Sequence, residues 1–326
     1  MRRAALALAT LWLVGCSGAE PPESSLEVAK RGIHGAALSA DGRLAAVGSL
    51  THGGSLWNLE SGERRFNWSH EPEAGSAITA LGFAPDGATV ITAEGSTVVL
   101  WDTAKGKALR YFEAPSPVLA AALSRDGGLG LLGLEDGTAA LFDARAGGIK
   151  RRFTHAGAVV AVALDASGRH AMTGSADGSA RLWDTLSGAQ LQRWDYRAEV
   201  RVVALSDDGQ RAFSTARYEH AVIRDTGSGQ PIAELPAYST RIIRGETWSA
   251  ARFSADGSRL LCGTVDGRVM LWEAGSARLI GSWQLPRRSA WKAAGNRVVA
   301  VGFAEAGPVV ASGDGFIHRL RLPSAR

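Results

Sequence analysis

Cysteine is scarce in this sequence: only Cys16 and Cys262 occur among 326 residues. Two cysteines form one disulfide at most, so the chain cannot be a small secreted domain held by a disulfide framework. Cys262 lies in an apolar segment, where a free cysteine usually behaves as a small buried side chain. If Cys16 is modified, no second cysteine remains in the sequence to form a disulfide with Cys262.

The sequence also lacks a marked excess of charge of either sign. It contains 36 Lys and Arg against 32 Asp and Glu, a net charge of +4, which falls to +2 without Arg2 and Arg3. Nucleic-acid-binding domains carry a strongly basic patch or stripe. We therefore expect no nucleic acid among the partners.

Motifs of catalysis and metal binding are missing. The seven histidines are scattered, and the chain has no HExxH, no GxSxG and no Cys/His spacing typical of a metal site. A formal GxGxxG match at 128–133 is followed by the turn Asp136-Gly137 and another alternating strand, where a dinucleotide site needs a helix. We expect no cofactor, no metal and no catalytic residue.

The apolar run 4–14 is too short to span a bilayer, which takes roughly 20 residues. It follows Arg2 and Arg3 and ends at the sequence LVGC, the arrangement of an export signal. LVGC resembles the bacterial lipobox, in which cleavage exposes a cysteine that receives acyl chains such as palmitate. The resemblance implies a signal peptide at 1–15 and a lipid on Cys16. An ordinary signal peptide with an incidental cysteine is the alternative.

Residues 16–25 carry the lipidated cysteine and a segment rich in Pro, Ser and Glu, typical of a flexible tether. By resemblance to lipoprotein sorting rules, the absence of Asp at Ser17 favours the outer membrane. The expected location is thus a lipid anchor in the outer membrane, with the protein facing the periplasm.

The segment 155–188 shows the repeating unit of the remaining chain most clearly. Its alternating apolar residues predict strands at 159–164, 170–173 and 180–183, and a fourth strand follows at 190–194. Glycine-containing turns separate these strands. The unit therefore reads as a four-stranded antiparallel sheet.

This unit recurs at intervals of 41 to 48 residues. The residues aligned at the end of the third strand are Trp57, Trp101, Phe142, Trp183, Arg224, Trp272 and Leu320. An acidic residue follows most of them. A period of about 40 to 45 residues with a Trp-Asp signature resembles the WD40 repeat family over roughly 26–322. Seven units imply an all-β, seven-bladed WD40-type β-propeller at 26–326.

The seventh unit offers only three strands before the sequence ends. The alternating segment 26–30 is the natural fourth strand, because WD40 propellers commonly close their ring with an N-terminal strand. An unpaired leader strand is the alternative.

The resemblance also implies a buried polar network in blade four. WD40 repeats often join a His, a Ser or Thr, an Asp and a Trp, and His155, Ser175, Asp177 and Trp183 match by position, although Thr173 is a second candidate for the hydroxyl. These residues superficially suggest a catalytic triad, but repeat positions explain them as a structural tetrad. No other blade is expected to keep the full set. Arg224, in place of the Trp in blade five, is expected to be paired or turned outward.

Two long connections, after blades five and six, are rich in Arg and aromatic residues, which are enriched at the centres of protein interfaces. We predict a surface for an acidic partner, the acidic-partner patch, formed by Tyr238, Arg241, Arg244, Trp248, Arg287, Arg288, Trp291 and Lys292. Alternatively, Trp248 and Trp291 pack over the blade ends while the arginines are solvated.

Together these features predict a membrane-anchored, non-catalytic scaffold that binds other proteins of the bacterial cell envelope. The alternative is an enzyme, or a propeller that binds a small ligand in its central channel. The first strands of the central repeats, at 120–123 and 160–164, are small and apolar, which disfavours that alternative.

Overall fold

The computed structural model describes residues 21–50, 53–68, 70, 77–235, 248–288 and 296–322. These residues form 28 strands in seven antiparallel four-stranded sheets, the blades of a propeller. No helix occurs among them, and therefore none that is long and apolar enough to cross a membrane. The predicted all-β, seven-bladed propeller is confirmed.

The first strand and blades one to three occupy the N-terminal half. The first strand is β1 (Ser24–Glu27). Blade one contains β2 (Ile33–Leu38), β3 (Leu44–Ser49), β4 (Gly53–Asn58) and β5 (Glu63–Trp68). Blade two contains β6 (Ala80–Phe83), β7 (Thr89–Glu94), β8 (Thr97–Asp102) and β9 (Ala108–Glu113). Blade three contains β10 (Val118–Leu123), β11 (Leu129–Leu134), β12 (Thr138–Asp143) and β13 (Ile149–Thr154).

Blades four to seven complete the ring. Blade four contains β14 (Val159–Leu164), β15 (His170–Ser175), β16 (Ser179–Asp184) and β17 (Gln190–Asp195). Blade five contains β18 (Val200–Leu205), β19 (Arg211–Ala216), β20 (Ala221–Asp225) and β21 (Pro231–Leu235). Blade six contains β22 (Trp248–Phe253), β23 (Arg259–Thr264), β24 (Arg268–Glu273) and β25 (Arg278–Gln284). Blade seven contains β26 (Val298–Ala304), β27 (Gly307–Ser312) and β28 (Phe316–Arg319).

Ring closure comes from both ends of the described chain. The innermost strands contact one another in sequence, and β26 contacts β2. β1 pairs antiparallel with β28, from Ser24 opposite Arg319 to Glu27 opposite Phe316. The predicted closure by an N-terminal strand is therefore confirmed, but the strand starts two residues before the expected segment 26–30. Ser24 and Ser25, assigned by sequence to the tether 16–25, belong to the propeller.

The two faces of the ring differ in the connections that they carry. On the top face lie the second-to-third-strand turns, the ends of the fourth strands and the starts of the first strands. The bottom face carries the first-to-second-strand and third-to-fourth-strand turns. Because Ser24 pairs with Arg319 at the bottom end of β28, the chain enters β1 from the bottom face.

Aromatic side chains of neighbouring blades pack against each other. The rings of Trp68 and Trp101 stack at 5.1 Å, and those of Phe153 and Trp183 stack at 5.0 Å. In each pair, a fourth-strand aromatic of one blade meets the third-strand Trp of the next. A single blade cannot bury both of its faces, so contacts between blades stabilise the propeller. Burial of these large aromatic side chains is a main part of that stabilisation.

Candidate functional site

The polar network of blade four joins β15, β16, the turn between them and the connection before the blade. His155 Nδ1 lies 3.2 Å from Asp177 Oδ2, and its Nε2 lies 2.7 Å from Thr173 Oγ1. Trp183 Nε1 donates to the same Thr173 oxygen at 2.9 Å. The hydroxyl that links His155 to Trp183 thus belongs to Thr173, and the position assigned by sequence to Ser175 is corrected.

Ser175 takes a different role at the top of the blade. Its hydroxyl donates to the Gly157 carbonyl at 2.8 Å and accepts from the Asp177 amide at 3.0 Å. It therefore fixes the turn that carries Asp177. The prediction placed Ser175 on the correct strand face, because Thr173 and Ser175 are two residues apart and point the same way.

Burial controls the charge state of His155. Removal from water, together with the positive charge of Arg181, lowers the pKa of His155 to about 4, so the ring is neutral at pH 7. Although burial acts in the opposite direction, hydrogen bonds from Ser179 and the Ala156 amide hold the pKa of Asp177 below its usual range. Both nitrogens of His155 already contact protein groups, which favours a structural role over proton transfer to a substrate.

Blade two contains the same kind of network, which the sequence reasoning missed. His70 Nε2 lies 2.8 Å from Thr92 Oγ1, and Trp101 Nε1 donates to that oxygen at 2.7 Å. Glu94 replaces the usual Asp, 3.9 Å from the His70 ring. Blade two thus keeps the His, the Thr and the Trp but not the Asp, so it carries part of the set that blade four carries in full. The turn Glu94-Gly95, with a histidine in the preceding long connection, was the available signal.

Blade five rebuilds the network around an arginine. Arg224 donates to the Tyr196 hydroxyl and to Ser214 Oγ, each at 3.0 Å. Its guanidinium also lies 5.2 Å from the centre of the Trp194 ring. Of the two expectations for Arg224, paired or turned outward, the first is therefore correct, and its partners are hydroxyl groups and an aromatic ring.

A polar chain in blade seven ties β1 to the ring. Ser25 Oγ lies 2.8 Å from His318 Nδ1, His318 Nε2 lies 3.0 Å from Ser312 Oγ, and Ser312 donates to Asp314 at 2.5 Å. Burial lowers the pKa of His318 to about 4. The third strand supplies this histidine, so blade seven also has a histidine network that the sequence alignment did not reveal.

The residues of the predicted acidic-partner patch separate into four groups. Trp248 is 5% exposed and packs between blades five and six, so it is a core residue and its assignment to a binding surface is corrected. Arg288 donates to Glu27 Oε1 at 2.8 Å and to the Ala29 carbonyl at 3.2 Å, and thus holds the chain after β1. Arg287 is exposed. The members outside the described residues are Tyr238, Arg241, Arg244, Trp291 and Lys292.

The central channel is less apolar than the central repeats indicated. A cavity of about 390 Å³ is lined by all seven innermost strands, mostly with Ala, Val and Leu. Blades five, six and seven add Arg201, Arg252 and Arg297 to the channel and its mouth. Arg252 crosses the lower channel to donate to the Leu38 carbonyl at 2.8 Å. Arg252 occupies the position at which blades three to five have alanine. This difference between the repeats could have predicted a charged group in the channel.

At the top mouth, Arg201 and Arg297 line one recess with Glu199 and Ser249. Arg201 forms a salt bridge of 2.6 Å with Glu199, and its side chain remains 50% exposed. In the described part of the chain, no set of three His, Cys, Asp or Glu side chains is placed to hold a metal ion.

The repeat spacing and the blade geometry agree with a comparison to protein families. The family described as "WD domain, G-beta repeat" matches residues 66–102, 148–184 and 229–273. The chain carries WD40 repeats. The first matched WD40 repeat ends one residue after Trp101, and the other two end one residue after Trp183 and Trp272. No curated protein matches the chain.

Proposed function

We propose that this WD40 propeller is a non-catalytic scaffold that binds other proteins through its top face while lipid on Cys16 anchors it in the bacterial cell envelope. WD40 propellers typically serve as protein-interaction scaffolds. The observation that carries the proposal is the distribution of connection lengths. The three long connections, between β5 and β6, β21 and β22, and β25 and β26, all start and end on the top face.

The direction of β1 is compatible with this orientation. The chain enters β1 from the bottom face, so a lipid on Cys16 holds the bottom of blade seven towards the membrane. Ser24 is the eighth residue after Cys16, and a fully extended chain of eight residues spans at most about 29 Å. The top face then points away from the bilayer, where a periplasmic partner has access. The inference rests on the LVGC sequence and its resemblance to the lipobox.

Charge reversal on the top face is the test of the scaffold. We expect Arg241→Glu/Arg244→Glu/Arg287→Glu to abolish co-purification of the partner that cross-links to the full-length protein in its native membranes. Arg288 is left intact, because its contacts with Glu27 and Ala29 stabilise ring closure. The matched control is Lys105→Glu/Lys107→Glu/Arg110→Glu, at the bottom turn and outer edge of blade two.

Three outcomes decide this test, provided that both variants melt like the wild type. Capture by the wild type and the control, but not by the top-face variant, supports the scaffold. Equal capture by the top-face variant rejects the acidic-partner patch. If the wild-type protein cross-links to no partner in its own membranes, the scaffold function itself is contradicted.

A further inference from the structure

The top mouth of the central channel has an unbalanced positive charge. The second residues of the innermost strands form its rim, and two of them, Leu119 and Val160, are apolar. At the same level in blade five stands Arg201, with Arg297 beside it in a recess of about 320 Å³. Two guanidinium groups therefore share one opening.

Only one of these two arginines has an acidic partner among the described residues. Arg201 is paired with Glu199 at 2.6 Å, whereas no described carboxylate forms a salt bridge with Arg297. Burial, and then the positive charge of Arg201, lower the pKa of Arg297. Like charges held close together are unfavourable, and an anion placed between them would relieve that repulsion.

The shape of the recess favours an anion carried on a peptide over a free small molecule. Small-molecule sites usually enclose most of the ligand surface. This recess opens to solvent on the top face, and exposed apolar side chains stand at its edge, with Leu119 39% and Val265 45% exposed. An acidic side chain can enter the recess while its apolar sequence neighbours contact that edge.

We propose that the channel mouth binds a carboxylate side chain from an acidic segment of a protein partner, with Arg201 and Arg297 as the hydrogen-bond donors. This inference rests on the proposed scaffold function and names the chemistry of the docked segment. A planar guanidinium can donate two parallel hydrogen bonds to one carboxylate, which gives geometric specificity. Glu199, which lines the same recess, orients Arg201 through their salt bridge.

The probe is a fluorescein-labelled peptide of alternating Leu and Glu, seven residues long, and the control peptide has Gln in place of each Glu. Binding to the full-length protein in detergent is followed by fluorescence anisotropy. We expect the acidic peptide to bind at least about tenfold more tightly than the Gln peptide, because charge-assisted hydrogen bonds are the stronger ones. We also expect this difference to shrink as salt screens the charges.

Two variants locate the site. Arg201→Gln/Arg297→Gln should weaken acidic-peptide binding about tenfold or more, as expected for the loss of charged hydrogen bonds. Arg197→Gln, an exposed arginine on the same face but outside the recess, should change it less than about twofold. Equal weakening by both variants, or none by the double variant, would overturn the proposal.

A second set of measurements asks whether the mouth binds a peptide or a free small anion, and whether the scaffold function depends on the mouth. Free citrate is tested as a competitor of the peptide. If citrate binds as tightly as the peptide, the mouth is a small-anion site and the peptide proposal is wrong. If the double variant loses peptide binding but still captures the cross-linked partner from membranes, the mouth is not the docking point, although the scaffold function stands.

Discussion

Deleting residues 24–29 from the full-length chain lowers the melting temperature by about 10 °C or more. The deletion removes β1 and its pairing with β28. It also removes Val28 and Ala29, which are buried in the core between blades seven and one. The lost ladder hydrogen bonds and apolar burial together amount to about 5 kcal/mol. For a domain of this size, 1 kcal/mol corresponds to roughly 2 °C or more.

A deletion of equal length provides the control. Removing residues 17–22 shortens the predicted tether but leaves β1 intact, so we expect its melting temperature to stay within about 2 °C of the wild type. Thermal unfolding followed by circular dichroism compares the three proteins. Equal melting of all three would show that β1 does not lock the ring.

The second large effect is expected from Thr173→Val in blade four. Valine has nearly the shape of threonine, but it removes the one oxygen that contacts both His155 Nε2 and Trp183 Nε1. Both nitrogens are then left buried without that partner. A buried polar group that loses its hydrogen bond costs about 1 to 3 kcal/mol, so we expect a destabilisation of about 2 to 4 kcal/mol by chemical denaturation.

Ser175→Ala is the matched comparison on the same strand face. It removes the bonds to Gly157 and Asp177 but leaves the His155–Thr173–Trp183 contacts in place. We expect it to cost about 1 kcal/mol. If Ser175→Ala proves more costly than Thr173→Val, the placement of the linking hydroxyl on Thr173 is wrong.

The repeat made most of the fold predictable from sequence. Alternation located β14 at 159–164, and the shortage of strands in the last unit required one from the N-terminus. Alternation with a period of two cannot, however, distinguish between residues that lie on the same face of a strand. Thr173 and Ser175 face the same way, so only the strand register and the position of His155 decide which hydroxyl is used.

Blades five to seven depart from the consensus, and there the sequence was least informative. The partner of Arg224 is Tyr196, 28 residues away, and repeat positions gave no reason to join them. Arg201 and Arg252 reach the channel from strands that otherwise repeat small apolar residues. The effect of these arginines on the channel becomes visible only in the folded propeller, where the first strands of all blades surround one axis.

A lipid-anchored propeller is tested most directly by the mass of the N-terminal peptide of the mature protein, isolated from bacterial membranes. We predict that the mature chain begins at Cys16 and that this residue carries a thioether-linked glyceride and acyl chains. Cys16→Ser should then remain unprocessed. A mature chain that begins elsewhere or has an unmodified Cys16, or a Cys16→Ser protein that is processed and stays in the membrane fraction, would contradict the lipid anchor.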